Sequence, residues 1–148
     1  MSIALNHISI RTLDVGACER FYAGLLGLVS GPRPPFPFPG VWLYAGDTSV
    51  YANAVMHIIG IDQAAPEGLQ GYLGNRDDAG LKGSGAVDHV AFFATGLQQM
   101  LTRLHEESVA CRERTVPSLG LYQVFVEDPN GIVVELNYPA AEGAALVR

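Results

Sequence analysis

Leu5-Asn6-His7-Ile8-Ser9-Ile10 and Val87-Asp88-His89-Val90-Ala91-Phe92 carry one pattern twice: apolar, Asn or Asp, His, β-branched, small, apolar. The alternation of each stretch reads as an opening strand, and a helix-period segment follows each. In the first half Asp14 is placed to cap a helix whose apolar positions are Cys18, Phe21, Tyr22, Leu25 and Leu26, with Gly27 as its stop. In the second, Thr95 is placed to cap a helix carrying Leu97, Met100, Leu101 and Leu104 at the same spacing. Three β-rich runs come after each helix: 28–30, 41–45 and 53–59, then 110–115, 121–127 and 132–138. The last two are joined by Asp128-Pro129-Asn130-Gly131, which combines the fixed φ of proline with a permissive glycine. The order is βαβββ, twice.

This predicts an α+β protein of paired βαβββ modules in a single domain over 1–138, with module one at 3–60 and module two at 87–138. The segment 61–86 has six glycines and reads as a flexible connector. Residues 139–148 read as a frayed tail. Five of the nine prolines lie between Pro32 and Pro39 and predict a stiff extended loop bearing Phe36 and Phe38.

The chain's 148 residues suffice for a proper core without staples. Charged residues make up 16% and apolar residues 49%, which excludes disorder and points to apolar surface used in a pocket or an oligomer. Nine Lys and Arg against fifteen Asp and Glu give a net charge of −6, so no basic face is available and nucleic acid is excluded as a partner. Two cysteines, Cys18 and Cys111, make no disulfide framework and read as structural. With no basic, apolar leader pattern and no run of membrane-spanning length, the expectation is a soluble cytoplasmic protein without membrane contact. Nucleophile-elbow, P-loop and dinucleotide-binding signatures are missing.

Four side chains occupy equivalent places in the two halves: His7 and His89 in the opening strands, His57 and Glu135 in the closing ones. A lone histidine in an apolar strand is more often a hydrogen-bonded core residue than a ligand. The repetition shifts that balance. A carboxylate flanked by Val133, Val134 and Leu136 is costly unless paired or coordinated. If the two half-sheets curl into one cleft, three imidazoles and a carboxylate point inward, a set suited to one divalent ion: Zn²⁺, Ni²⁺, Co²⁺, Mn²⁺ or Fe²⁺.

The paired modules, the two strand-opening histidines and Glu-Asp-Pro-Asn-Gly-Ile-Val-Val-Glu at 127–135 resemble the vicinal oxygen chelate superfamily of glyoxalases, extradiol dioxygenases, and fosfomycin- and bleomycin-resistance proteins. The resemblance spans about residues 3–138 and is closest in length and module order to glyoxalase I. It implies incomplete barrels around a metal cleft, ligands at His7, His57, His89 and Glu135, and a small substrate chelating through adjacent oxygens. Glyoxalase I usually has Glu or Gln where this chain has His57, so the catalytic proton transfer falls to Glu135, or to His57 in place of the lost carboxylate. The resemblance also admits a ring-cleaving dioxygenase using Fe²⁺ on His7, His89 and Glu135, and a non-catalytic protein that sequesters a ligand. Around the expected cleft, Arg11, Phe36, Phe38, Trp42, Tyr51 and Tyr122 are the candidates for substrate contact. Sheet edges and apolar composition predict a homodimer.

Overall fold

The computed structural model describes residues 2–147, which divide along the chain into two compact units, the first ending at Leu81 and the second beginning at Lys82. In the first unit β1 (Ile8–Thr12) leads into α1 (Val15–Glu19), which Asp14 caps by accepting from the Ala17 amide at 2.8 Å. The helix widens into a π-type turn over Arg20–Leu25, closed by the Leu26 amide bonding to the Phe21 carbonyl. Then follow β2 (Val29–Gly31), β3 (Gly40–Tyr44), β4 (Met56–Gly60) and α2 (Glu67–Leu73). The strand order is β1-β4-β3-β2, with β1 and β4 parallel and the other pairs antiparallel.

The second unit repeats this plan. β5 (His89–Phe93), α3 (Leu97–Glu106), β6 (Cys111–Val116), β7 (Leu121–Glu127), β8 (Val133–Pro139) and α4 (Ala140–Ala144) give the order β5-β8-β7-β6, again with the first pair parallel. The registers correspond residue for residue: Ser9 lies opposite His57 and Ala91 opposite Glu135, and each is two residues beyond its histidine.

Alternation sorts each sheet into two faces. In the first unit Ile10, Leu43, Met56 and Ile58 share the face with which the buried helix residues Cys18, Tyr22 and Leu25 make the core. In the second, Val124, Val134, Leu136 and Tyr138 share a buried face, and α3 buries Leu97 and Leu104. His57 and Glu135 are buried on the opposite faces.

Five sequence expectations need correction. The segment 61–86 is not a featureless connector: α2 buries Leu69 against Phe38 and Ile59. It approaches the proline loop so closely that a Cβ at Gly68 would stand 1.9 Å from the Pro37 carbonyl oxygen, so glycine there marks contact rather than flexibility. The tail is not simply frayed, since its residues Ala140–Ala144 form α4, while residue 148 lies outside the described residues. Glu142 of that helix, not Thr95, caps α3, its Oε2 accepting from the Gly96 and Leu97 amides at 2.8 and 2.7 Å. Finally, Tyr51–Asn53 form a single 3₁₀ turn ahead of β4, and His7 sits just before β1 rather than within it.

Candidate metal and substrate site

In the first unit His57 is the middle of a stack of rings. Cross-strand pairing places Trp42 beside it, at 4.0 Å between centroids and 5° between planes. On the other side His7 stacks at 3.9 Å and 20°. His57 is buried, and its Nε2 has no hydrogen-bond partner. Burial, with His7 and Arg33 nearby, pushes its pKa down to about 4 against a weaker opposing pull from a hydrogen bond to the Ala54 backbone. With Nε2 unpartnered, that bond falls to Nδ1, so the neutral ring keeps its lone pair on Nε2.

His7 has the same arrangement. Its Nδ1 lies 2.6 Å from Asn6 Oδ1, which can only accept, so the proton sits on Nδ1 and the lone pair on Nε2.

The second unit holds the other two candidates. His89 Nδ1 lies 2.8 Å from Asp88 Oδ1, and its Nε2 faces Glu135 Oε2 at 3.4 Å. That separation is beyond an ordinary N–H···O bond. With the ring proton on Nδ1, two electron-pair donors confront each other, an arrangement that a cation or an added proton relieves. Glu135 cannot easily turn away. Its Oε1 accepts from Gln123 Nε2 at 3.0 Å and from Asn137 Nδ2 at 2.7 Å. Gln123 is itself oriented by the Arg114 guanidinium, which donates to its Oε1 from Nε at 2.9 Å.

Asn6, Asp88, Gln123, Asn137 and Arg114 are therefore the residues that orient the candidate donors, a role the sequence does not assign to them. The signal was present in part: Asn6 and Asp88 belong to the repeated pattern, and Asn137 lies two residues beyond Glu135 on the same strand face.

Among the described residues, no three or more His, Cys, Asp or Glu side chains form a group able to hold a metal. The four candidate donors come as two pairs, one in each unit.

The first unit also has a cavity of about 500 Å³ that opens to solvent. Arg11, Phe36, Phe38, Trp42 and Tyr51 line it, together with His7 and His57. Tyr72 and Arg76, from the segment read as a connector, line it too. Tyr122 does not. It lies in the second unit on the face opposite Glu135, with its ring against Gly143 and its hydroxyl donating to Glu113. Among the described residues no helix is long and apolar enough to cross a membrane.

No protein-family model and no curated protein matches the sequence. The structure does have matches. A glyoxalase family protein from Bacillus anthracis is 18% identical at a TM-score of 0.64, over 94% of this chain and 97% of that one. Lactoylglutathione lyase from Agrobacterium tumefaciens is 20% identical at 0.58, over 91% and 92%. A fosfomycin resistance protein from Listeria monocytogenes is 14% identical at 0.61, over 96% and 98%. These likenesses show that the chain has the glyoxalase fold.

Proposed function

We propose that this chain, which has the glyoxalase fold, is a divalent-metal-dependent enzyme of glyoxalase type. Its substrate is a small molecule chelating through adjacent oxygens, and its reaction is a lyase or isomerase step. The proposed metal donors are His7, His57, His89 and Glu135.

One observation supports this above the rest. Each of the four donors has one polar atom held by a neighbour: His7 by Asn6, His57 by the Ala54 backbone, His89 by Asp88, Glu135 by Gln123 and Asn137; the other nitrogen of His57 has no partner, and the other atoms of His89 and Glu135 face each other at 3.4 Å. Metal-binding histidines and carboxylates are oriented in this way, because the outer bond fixes the tautomer and aims the lone pair. The low pKa of His57 fits the same role, since only a neutral imidazole can ligate.

A bound divalent ion supplies Lewis-acid polarisation of the substrate's oxygens. The chain's own contribution is proton transfer and positioning. Glu135 takes a proton from the carbon beside a chelating oxygen and returns it to the adjacent carbon, with the amides of Gln123 and Asn137 holding its carboxylate in place throughout. His57 stays neutral and holds its position in the stack between His7 and Trp42. A dioxygenase site would use His7, His89 and Glu135 alone. The unpartnered lone pair of the buried His57 favours four donors over three.

The test is elemental analysis of tag-free protein with turnover of a methylglyoxal–thiol adduct. One divalent ion per chain is expected, with loss of metal in His7→Ala, His57→Ala, His89→Ala and Glu135→Gln. Protein that purifies without metal and takes none up, or four variants that all retain it, refutes the assignment. Oxygen uptake on catechols with stoichiometric iron would instead establish the dioxygenase.

A further inference from the structure

In a chain with more carboxylates than cations, three guanidiniums line one cavity of the first unit: Arg11, Arg33 and Arg76. Among the described residues no Asp or Glu lines it. Two of the three are already engaged. Arg11 Nη1 pairs with Asp78 Oδ1 at 3.1 Å. Arg33 donates to the Phe38 carbonyl at 2.8 Å, and its guanidinium lies 5.0 and 5.1 Å from the ring centres of Phe36 and Phe38. Arg76 is exposed, lines the cavity, and makes a 3.4 Å bond from Nε to the Leu73 carbonyl that does not use its terminal nitrogens.

The walls are flat. Phe36 and Phe38 stack at 5.2 Å and 11°, with the Tyr72 ring at 5.1 Å from one and 5.3 Å from the other. Trp42 stands 6.3 Å from Phe36. Tyr72 is 56% exposed, so a large ring lies open to water four residues before Arg76, which lies past the end of α2. Open aromatic faces gain most from a second flat surface, and an unpaired guanidinium gains most from an oxyanion.

We infer that this cavity selects a planar carboxylate, aromatic or conjugated, whose flat body lies against Phe36, Trp42 and Tyr72 and whose carboxylate is received by Arg76. The inference deepens the proposed metal-dependent function by naming the substrate class, and it rests on that reading only for the fate of the chelating oxygens.

The test is calorimetric titration of the tag-free full chain with three probes: cinnamate, neutral cinnamamide and the saturated 3-cyclohexylpropanoate. The metal content of the same batch is measured alongside. Cinnamate should bind about tenfold more tightly than either comparator. Arg76→Gln should bring cinnamate to the level of cinnamamide while leaving cinnamamide unchanged, and Tyr72→Leu should narrow the gap between cinnamate and its saturated analogue. Equal binding of the three probes, no heat from cinnamate, or an undiminished carboxylate preference in Arg76→Gln overturns the inference. Metal-bearing protein without the preference defeats the inference alone. Metal-free protein that keeps the preference supports the inference and defeats the metal assignment alone.

Discussion

Replacing Gln123 with Met keeps the length of the side chain and removes both of its hydrogen-bonding atoms. Glu135 Oε1 then loses a donor at 3.0 Å, Asn137 Oδ1 loses one at 2.8 Å, and the Arg114 guanidinium loses its acceptor. Glu135 is buried, so the loss cannot be made good by free water on all sides. A hydrogen bond to a charged group contributes about 1.5–3 kcal/mol. One such bond to Glu135 remains, from Asn137 at 2.7 Å, so the carboxylate should loosen rather than escape. Loss of an outer partner of a metal ligand typically weakens metal binding by about 10–100-fold. The assay is a competition titration against a chromogenic chelator, run beside a thermal melt. A Gln123→Met variant that melts lower yet binds metal within about twofold of the parent would show that the network serves only the sheet and does not hold a ligand. Asn137→Leu on the same background should deepen the metal defect more than the two single changes predict, since the two amides share one oxygen.

Three further outcomes follow from other parts of the chain. His57 is held well below the unfolded value of 6.5, at about 4, so between these limits the unfolded chain binds more protons. Stability of the metal-free protein should therefore be fully present above pH 6.5 and fall as pH drops toward 4, by no more than about 3 kcal/mol, and His57→Phe should flatten that slope in urea titrations. Gly68→Ala forces α2 off the proline loop, where a Cβ would meet the Pro37 carbonyl at 1.9 Å; a loss of about 1–3 kcal/mol is expected, with weakened binding in the cavity. Glu142→Ala removes the carboxylate that accepts from the first amides of α3 and should cost about 1 kcal/mol by chemical denaturation, with truncation before Ala140 costing at least as much.

The repeated histidine pattern made the duplicated fold legible, because a period-2 face and a histidine at the same place in each half constrain the pairing register. Strand β7 begins and ends where its sequence pattern does, and Asp14 caps the helix it precedes. What stayed hidden was set by contacts distant along the chain. Composition cannot distinguish a glycine required by a neighbouring carbonyl, as at Gly68, from one in a linker, and so α2 went unread along with Tyr72 and Arg76. Glu142 caps a helix that begins more than forty residues earlier, beyond the reach of any local motif. Tyr122 is aromatic and so suggests a cleft residue, yet its neighbour Gln123 occupies the face of Glu135; strand parity separates the two once the register with β8 is known.

The chain has a single tryptophan, and it lies flat against His57. An imidazole in face contact with an indole accepts electron density from the excited ring far better when it carries a proton than when it is neutral. Trp42 emission should therefore dim as His57 is protonated and change again when Nε2 is claimed by an ion. The protein carries its own optical gauge of the donor atom on which the proposed chemistry depends.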